Sequence, residues 1–253
     1  MPNRLKAAWQ KGTATINGWQ AIPSGFSAEV YARSGFDSIT IDFQHGVQDY
    51  HSCLACLQGM MPSGVVPLVR VPWNEPGIVG KVLDAGAYGV ICPMINSAEE
   101  AQALVQYAKY PPMGTRSNGP VRAALYAEPG AYQQTANEEI LVLPMIETRK
   151  ALDNLAAILD VPGIDAIYVG PSDLSFSLGK PPRMDVEDKE VLAIYESILK
   201  QTSARSIAAG IHCNAPSYAR RMIEMGFRLV TVAPDVGTLL NATKAAVSAV
   251  RAA

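Results

Sequence analysis

Two acids carry the first chemical signal. Glu147 closes the apolar run 140–146, and Asp173 follows the run Ile167-Tyr168-Val169 through Gly170-Pro171-Ser172. An acid at the end of an apolar strand costs desolvation unless it is paired or bound to a cation. Taken singly, each has a plainer explanation. Glu147 fits the dipole at a helix start, and Ser172 or Asp173 fits a helix N-cap. Taken together, on successive strands, they form a two-carboxylate cation site. Hard oxygen ligands favour Mg²⁺ or Mn²⁺, with Co²⁺ or Zn²⁺ as the next choices. Two protein ligands leave positions for water and substrate, as a Lewis-acid site needs. The backbone N–H groups around 170–173 can cradle an anion beside the cation.

Other reactive groups stand at similar places. Asp42-Phe43-Gln44-His45-Gly46 follows the run 38–41, and the spacing lets a carboxylate orient an imidazole, making His45 a general acid/base. Arg70 ends Val65-Val66-Pro67-Leu68-Val69. A guanidinium there needs an anionic partner: a substrate carboxylate or enolate, the metal's acids, or a structural salt bridge to Glu147 or Asp42. His212 ends another run and either lines a pocket or is buried. Asp235 fits an N-cap for the last helix, and Asp84 a solvated helix face. Cys53 and Cys56 fall three apart in a helical pattern with no second pair, so core packing outweighs zinc or redox use. None of the nine lysines lies in a strand-like run. Carbanion chemistry here therefore depends on a metal rather than an imine.

The elements that must position these groups follow one recurring grammar. A helix-like segment ends in Gly, an apolar residue follows, and after a short link an apolar run begins. It occurs at Gly35-Phe36, Gly86-Ala87, Gly163-Ile164 and Gly226-Phe227. Gly closes the helix in the left-handed conformation, and the next residue packs back on it. Repetition of helix-to-strand links implies a parallel sheet. Strand-like runs lie at 13–20, 38–43, 66–71, 89–94, 140–147, 166–170, 206–212 and 229–234. Helical patterns lie at 28–34, 50–61, 78–85, 98–109, 150–159, 189–202, 217–224 and 238–250. Eight βα units in 253 residues predict a single α/β domain over 1–253, a (β/α)₈ TIM barrel, with reactive groups at the C-terminal strand ends. No G-x-G-x-x-G follows the first run, which argues against a doubly wound sheet. The segment 111–137, with Arg116 and Arg122, breaks the repeat and reads as a surface loop or, preferably, an oligomer contact.

Composition excludes several classes. The net charge is −2, with no run of like charges, so neither nucleic acid nor an anionic membrane is an expected partner. No apolar stretch is long enough to span a bilayer and no signal peptide is evident, so a cytoplasmic location is expected.

The motifs Asp42-x-x-His45-Gly46, Pro67-Leu68-Val69-Arg70-Val71-Pro72, Leu83-Asp84-Ala85-Gly86-Ala87-x-Gly89, Tyr110-Pro111-Pro112-x-Gly114-x-Arg116, Ile146-Glu147-Thr148 and Val169-Gly170-Pro171-Ser172-Asp173-Leu174-Ser175 run in order along nearly the whole chain. Together they resemble the metal-dependent (class II) hydroxy-oxo-acid aldolases, which include 4-hydroxy-2-oxoheptanedioate and 2-dehydro-3-deoxyglucarate aldolases and are related to the citrate lyase β-subunit superfamily. The resemblance implies a TIM barrel of the phosphoenolpyruvate/pyruvate type, assembled as a homohexamer or trimer with the last helix packed on a neighbour. It implies that Glu147 and Asp173 bind the cation, that Asp42 holds His45, and that Arg70 contacts the oxo group. It implies that Trp19 lines the pocket, that the Gly170–Pro171–Ser172 turn through Asp173 receives the substrate carboxylate, and that Asp84 reaches a site across a subunit contact. Two positions depart: many members have Glu at Gln44 and Gln at Met145, which affects the substrate region more than metal binding. The expected reaction is reversible cleavage of a 4-hydroxy-2-oxo acid to pyruvate, or hydroxypyruvate, and an aldehyde. The alternatives are a malyl-CoA-type acyl-CoA lyase, a barrel isomerase and a non-catalytic 2-oxo acid binder.

Overall fold

The computed structural model of the protein describes residues 3–252. Eight parallel strands close in sequence order: β1 (Thr15–Gln20), β2 (Ser38–Asp42), β3 (Val66–Arg70), β4 (Gly89–Cys92), β5 (Leu141–Ile146), β6 (Ala166–Val169), β7 (Ala208–His212) and β8 (Leu229–Thr231). This is the expected (β/α)₈ barrel, with every strand at its expected place and trimmed at its ends. The helices are α1 (Arg4–Gln10), α2 (Gly25–Ala32), α3 (Tyr50–Met60), α4 (Pro76–Asp84), α5 (Ala98–Ala108), α6 (Ala131–Glu139), α7 (Arg149–Asp153), α8 (Leu155–Leu159), α9 (Pro171–Ser177), α10 (Lys189–Ser203), α11 (Pro216–Met225) and α12 (Asp235–Arg251).

The period-two alternation of strand side chains divides the core. Val66, Leu68, Ile91, Leu141, Leu143, Ala166, Tyr168 and Leu229 fill the barrel interior, and Leu5 of α1 joins them. The alternate residues, among them Ile39, Val69, Val142, Ile167 and Val230, pack against the helices. Space inside is tight. A Cβ at Gly210 would come 2.9 Å from Tyr168 Cδ2, and one at Gly89 would come 2.8 Å from Leu141 Cβ. Gly35, Gly86, Gly163 and Gly226 all have positive φ, between 90° and 128°, so the helix-closing grammar is real.

The structure departs from expectation in several places. The helix expected over 150–159 breaks at Asn154, whose side chain donates to Asn96 O at 2.8 Å. Helices α1 and α6 were not anticipated, and α9 starts at Pro171, ahead of the N-cap that Ser172 or Asp173 offered. The segment 111–137 is not simply a surface loop. Arg116 is 5% exposed, pairs with Asp84 at 2.6 Å, and lies over the rings of Tyr110 and Tyr132 at 4.6 and 5.7 Å. Asp84 is therefore an ion-pair partner at the end of α4 that leads into β4, away from the C-terminal strand ends. Cys53 and Cys56 are buried core residues whose thiols burial pushes up to about 12 and about 11. Asp235 is the first residue of α12 rather than its cap. Its carboxylate accepts from Ala21 N and Ile22 N at 3.0 and 2.9 Å, tying the β1 exit loop to the last helix. Beyond Asp235, α12 buries almost nothing: Leu239, Leu240, Val247 and Val250 are all exposed.

Candidate active site

Strand parity aims Asp42, Arg70, Glu147, Gly170 and His212 at the barrel axis above the apolar layer. They surround a cavity of about 530 Å³ lined by His45, Arg70, Glu147, Tyr168, Asp173 and His212, with Met145, Met184 and the 170–172 turn. A larger cavity, about 920 Å³, opens at the opposite end of the barrel around Lys6, Asp165 and Arg228. Its central charges, Lys6 and Asp165, already satisfy each other at 2.9 Å, and it holds none of the converging acids.

Glu147 is 2% exposed, just past β5. Thr148, not Glu147, caps α7, accepting from Ala151 N at 3.0 Å. Glu147 therefore does not act as the helix-start acid that the sequence also allowed. Its Oε1 accepts from Met94 N at 2.8 Å, and Met94 holds the left-handed conformation (φ 57°) to present that amide. Burial pushes the Glu147 carboxyl up to about 7; Met94 N–H opposes this, the charge of Asp173 adds to it, and Arg70 opposes it. A carboxylate so placed demands a proton or a cation. Asp173 stands exposed in the first turn of α9. Glu147 and Asp173 are the two acids that line the cavity. Both donors are hard oxygens, one of them desolvated and unpaired with a cationic side chain, and this set fits a divalent cation with open positions.

Asp42 does not meet the His45 imidazole as expected. Arg70 claims its carboxylate, Nε donating to Oδ1 at 2.8 Å and Nη2 to Oδ2 at 2.6 Å. Trp19 Nε1 donates to Oδ2 at 3.2 Å, and the Gln44 and His45 backbone amides donate to Oδ1 at 3.1 and 3.3 Å. Asp42 thus shapes the turn that carries His45 rather than orienting its ring. The short spacing brings the carboxylate onto backbone amides first, as in an Asx turn. Burial pushes the Asp42 carboxyl up, but Arg70's hydrogen bonds and charge outweigh this and hold it below the usual range. His45 is exposed at the rim. Arg70 makes the structural salt bridge to Asp42 that the sequence allowed, and it also lines the cavity.

Trp19 is buried beneath the pocket instead of lining it. Its ring lies 4.8 Å from the Arg70 guanidinium carbon and stacks on Tyr168 at 5.8 Å. Gln44 also stays out of the lining, and its Oε1 is buried with no partner among the described residues. Pro171 has no N–H, so Gly170, Ser172 and Asp173 supply any amide cradle; the last two stand in the first turn of α9, where N–H groups lack intrahelical acceptors. A Cβ at Gly170 would overlap Glu147 Oε2 and come 3.0 Å from Met145 Cε. His212 lines the pocket, with Nδ1 3.2 Å from Tyr168 Oη and its ring edge-on to Trp19 at 4.7 Å. Burial, then Arg70's charge, lowers its pKa to about 4, against a smaller upward pull from Asp42. Burial also pushes the Tyr168 phenol well above its ordinary value.

Tyr168, Met94 and Met184 were missed by sequence reasoning. Tyr168 shares the inward parity of Ala166 and Gly170, a signal its apolar neighbours masked. Nothing in the sequence marks Met94 or Met184.

The sequence profile described as HpcH/HpaI aldolase/citrate lyase matches residues 19–242. A hydroxypyruvate/pyruvate aldolase of Rhizorhabdus wittichii is 38% identical over 250 residues, covering 99% of each chain. A 4-hydroxy-2-oxo-heptane-1,7-dioate aldolase of Escherichia coli is 36% identical, covering 97% of this chain and 94% of the relative. The crystal structure of an HpcH/HpaI aldolase/citrate lyase family protein from Burkholderia cenocepacia superposes with a TM-score of 0.91 at 32% identity, covering 98% of this chain and 99% of that one.

Proposed function

The chain belongs to the HpcH/HpaI aldolase/citrate lyase family, and from that premise we propose that it is a class II aldolase that reversibly cleaves a 4-hydroxy-2-oxo acid to pyruvate, or hydroxypyruvate, and an aldehyde. The observation that carries this reading is the desolvated Glu147 beside Asp173, facing Arg70 across one cavity at the C-terminal strand ends. Nearly full-length relatives named as aldolases support it.

Glu147 and Asp173 hold a divalent cation, Mg²⁺ or Mn²⁺ by their oxygen chemistry. When bound, it supplies Lewis-acid stabilisation of the negative charge that develops on the 2-oxo acid. The chain's own groups do the rest. The Gly170, Ser172 and Asp173 amides receive the substrate carboxylate. His45 removes the proton from the C4 hydroxyl, and the C3–C4 bond breaks to release the aldehyde. The bond's electrons pass into the enolate of the three-carbon fragment, whose oxygen Arg70 faces. Proton return to C3 by His45 gives pyruvate, so the hydroxyl proton ends on carbon and the reaction balances. Asp42 and Trp19 fix the guanidinium in place. His45, at the rim, can exchange its proton with water.

The bare apolar face of α12 supports a homo-oligomer in which a second copy covers Leu239, Leu240 and Val247. No described helix is long and apolar enough to cross a membrane. The function is tested by a coupled assay of pyruvate release from 4-hydroxy-2-oxo acids, with the aldehyde trapped in the same reaction. Equimolar pyruvate and aldehyde are expected; no release from any such acid would remove the reading.

A further inference from the structure

A hydrogen-bonded chain runs up the barrel interior and ends at His212. Ser38 Oγ and Thr40 Oγ1 both donate to Asn17 Oδ1, at 2.8 and 3.1 Å. Asn17 Nδ2 donates to Thr231 Oγ1 at 2.9 Å. Thr231 Oγ1 lies 2.6 Å from Tyr168 Oη, and Tyr168 Oη lies 3.2 Å from His212 Nδ1.

The donors at the bottom fix every proton above them. Asn17 can only donate through Nδ2, so Thr231 must accept there. The Thr231 hydroxyl keeps one proton, and among the described residues Tyr168 Oη is the side-chain acceptor that it reaches. The reverse order would bury that proton unpaired. Thr231 therefore donates to Tyr168, Tyr168 donates to His212, and Nδ1 of His212 is an acceptor. The ring is then neutral with its single proton on Nε2. That nitrogen has no partner among the described residues, and the ring lines the cavity beside Arg70.

We propose that His212 is a specificity-determining residue of the aldolase, an uncharged Nε2–H donor that selects a substrate bearing an uncharged oxygen, a hydroxyl, at this wall of the pocket. The assignment rests on the aldolase reading given above. Charged substrate oxygens already have Arg70, the cation site and the α9 amides. A neutral donor adds little for them and discriminates for a hydroxyl, because a pocket built around a hydrogen bond leaves its donor unpaired when the substrate lacks the group. The hydroxyl has two sources: C3 of the three-carbon donor, as in hydroxypyruvate against pyruvate, or the aldehyde partner. Tyr168, Thr231 and Asn17 are positioning residues that hold the tautomer.

The test runs the condensation with pyruvate and with hydroxypyruvate against one aldehyde, then with pyruvate against matched aldehydes with and without an α-hydroxyl. Wild type, His212→Gln, His212→Leu and Tyr168→Phe are compared, with ¹⁵N NMR reporting the His212 tautomer. In wild type the Nε2–H form is expected. In His212→Leu the kcat/KM preference for the hydroxylated member falls about tenfold in one arm, mainly through KM, and that arm names the source. His212→Gln, which keeps an N–H donor, recovers most of the preference. Tyr168→Phe loses the fixed tautomer and part of the preference. An unchanged preference in both arms, an equal loss in the Gln and Leu variants, or an Nδ1–H tautomer in wild type overturns the proposal. Failure of wild type to join any pair would instead remove the aldolase reading itself.

Discussion

Arg70 grips Asp42 with two parallel hydrogen bonds, at 2.8 and 2.6 Å, while the flat of Trp19 covers the guanidinium. The fork geometry needs a guanidinium; an ammonium cannot reproduce it. Arg70→Lys is expected to lower kcat about a hundredfold, the scale of losing one oriented stabiliser of developing charge. Asp42→Ala strands a nearly buried Arg70 and is expected to destabilise the fold by about 3 kcal/mol. Steady-state kinetics and urea denaturation measure the two effects. A kcat within twofold of wild type in Arg70→Lys would show that Arg70 is structural only.

Gly170 is the residue that lets Glu147 approach the α9 turn. Its missing Cβ is the space that Glu147 Oε2 occupies, with Met145 Cε behind it. Gly170→Ala should displace the carboxylate and weaken Mn²⁺ binding by about tenfold, the range found for groups that orient metal ligands. Calorimetric titration of the folded variant checks this. Unaltered Mn²⁺ affinity would mean that Glu147 does not bind the cation from this position.

His212 makes stability depend on acid. Its folded pKa is about 4, against 6.5 for the free side chain. Between those values the unfolded chain binds a proton that the folded chain refuses. The contribution of His212 is therefore complete above pH 6.5 and is lost as pH falls toward 4. The urea midpoint of wild type should fall faster over this window than that of His212→Gln, which cannot titrate. Parallel curves would contradict the neutral, half-buried ring.

Much of this was legible in the sequence. Strands β2, β4, β6 and β8 were visible because Gly35, Gly86, Gly163 and Gly226 mark the helix ends before them, and the other four because apolar runs alternate with helical patterns along the chain. The acids at strand ends were visible because a charge closing an apolar run needs a reason. Helix α6 was invisible because Ala131–Glu139 buries only Ala136 and shows no apolar stripe. The start of helix α9 hid behind Gly170-Pro171, which reads equally as a turn. Spacing told that Asp42 and His45 are near each other, but not that the backbone of His45 would take the bond. Arg116 looked like a loop charge because its partner, Asp84, lies 32 residues away.

The face of α12 gives a prediction about assembly. Leu239 and Leu240 are 58% and 48% exposed. The double variant Leu239→Glu/Leu240→Glu should lower the mass measured by light scattering while far-UV circular dichroism stays unchanged. A monomeric wild type would show that nothing covers this face.

The central claim is that Glu147 and Asp173 together hold the cation on which cleavage depends. It is tested most directly by pyruvate release from a 4-hydroxy-2-oxo acid, using metal-stripped wild type, Glu147→Ala and Asp173→Ala, each titrated with Mn²⁺. Stripped wild type is expected to be inactive and to recover with added Mn²⁺, whereas neither variant recovers at concentrations that saturate wild type. Full activity in thoroughly stripped wild type, or equal recovery in either variant, would contradict it.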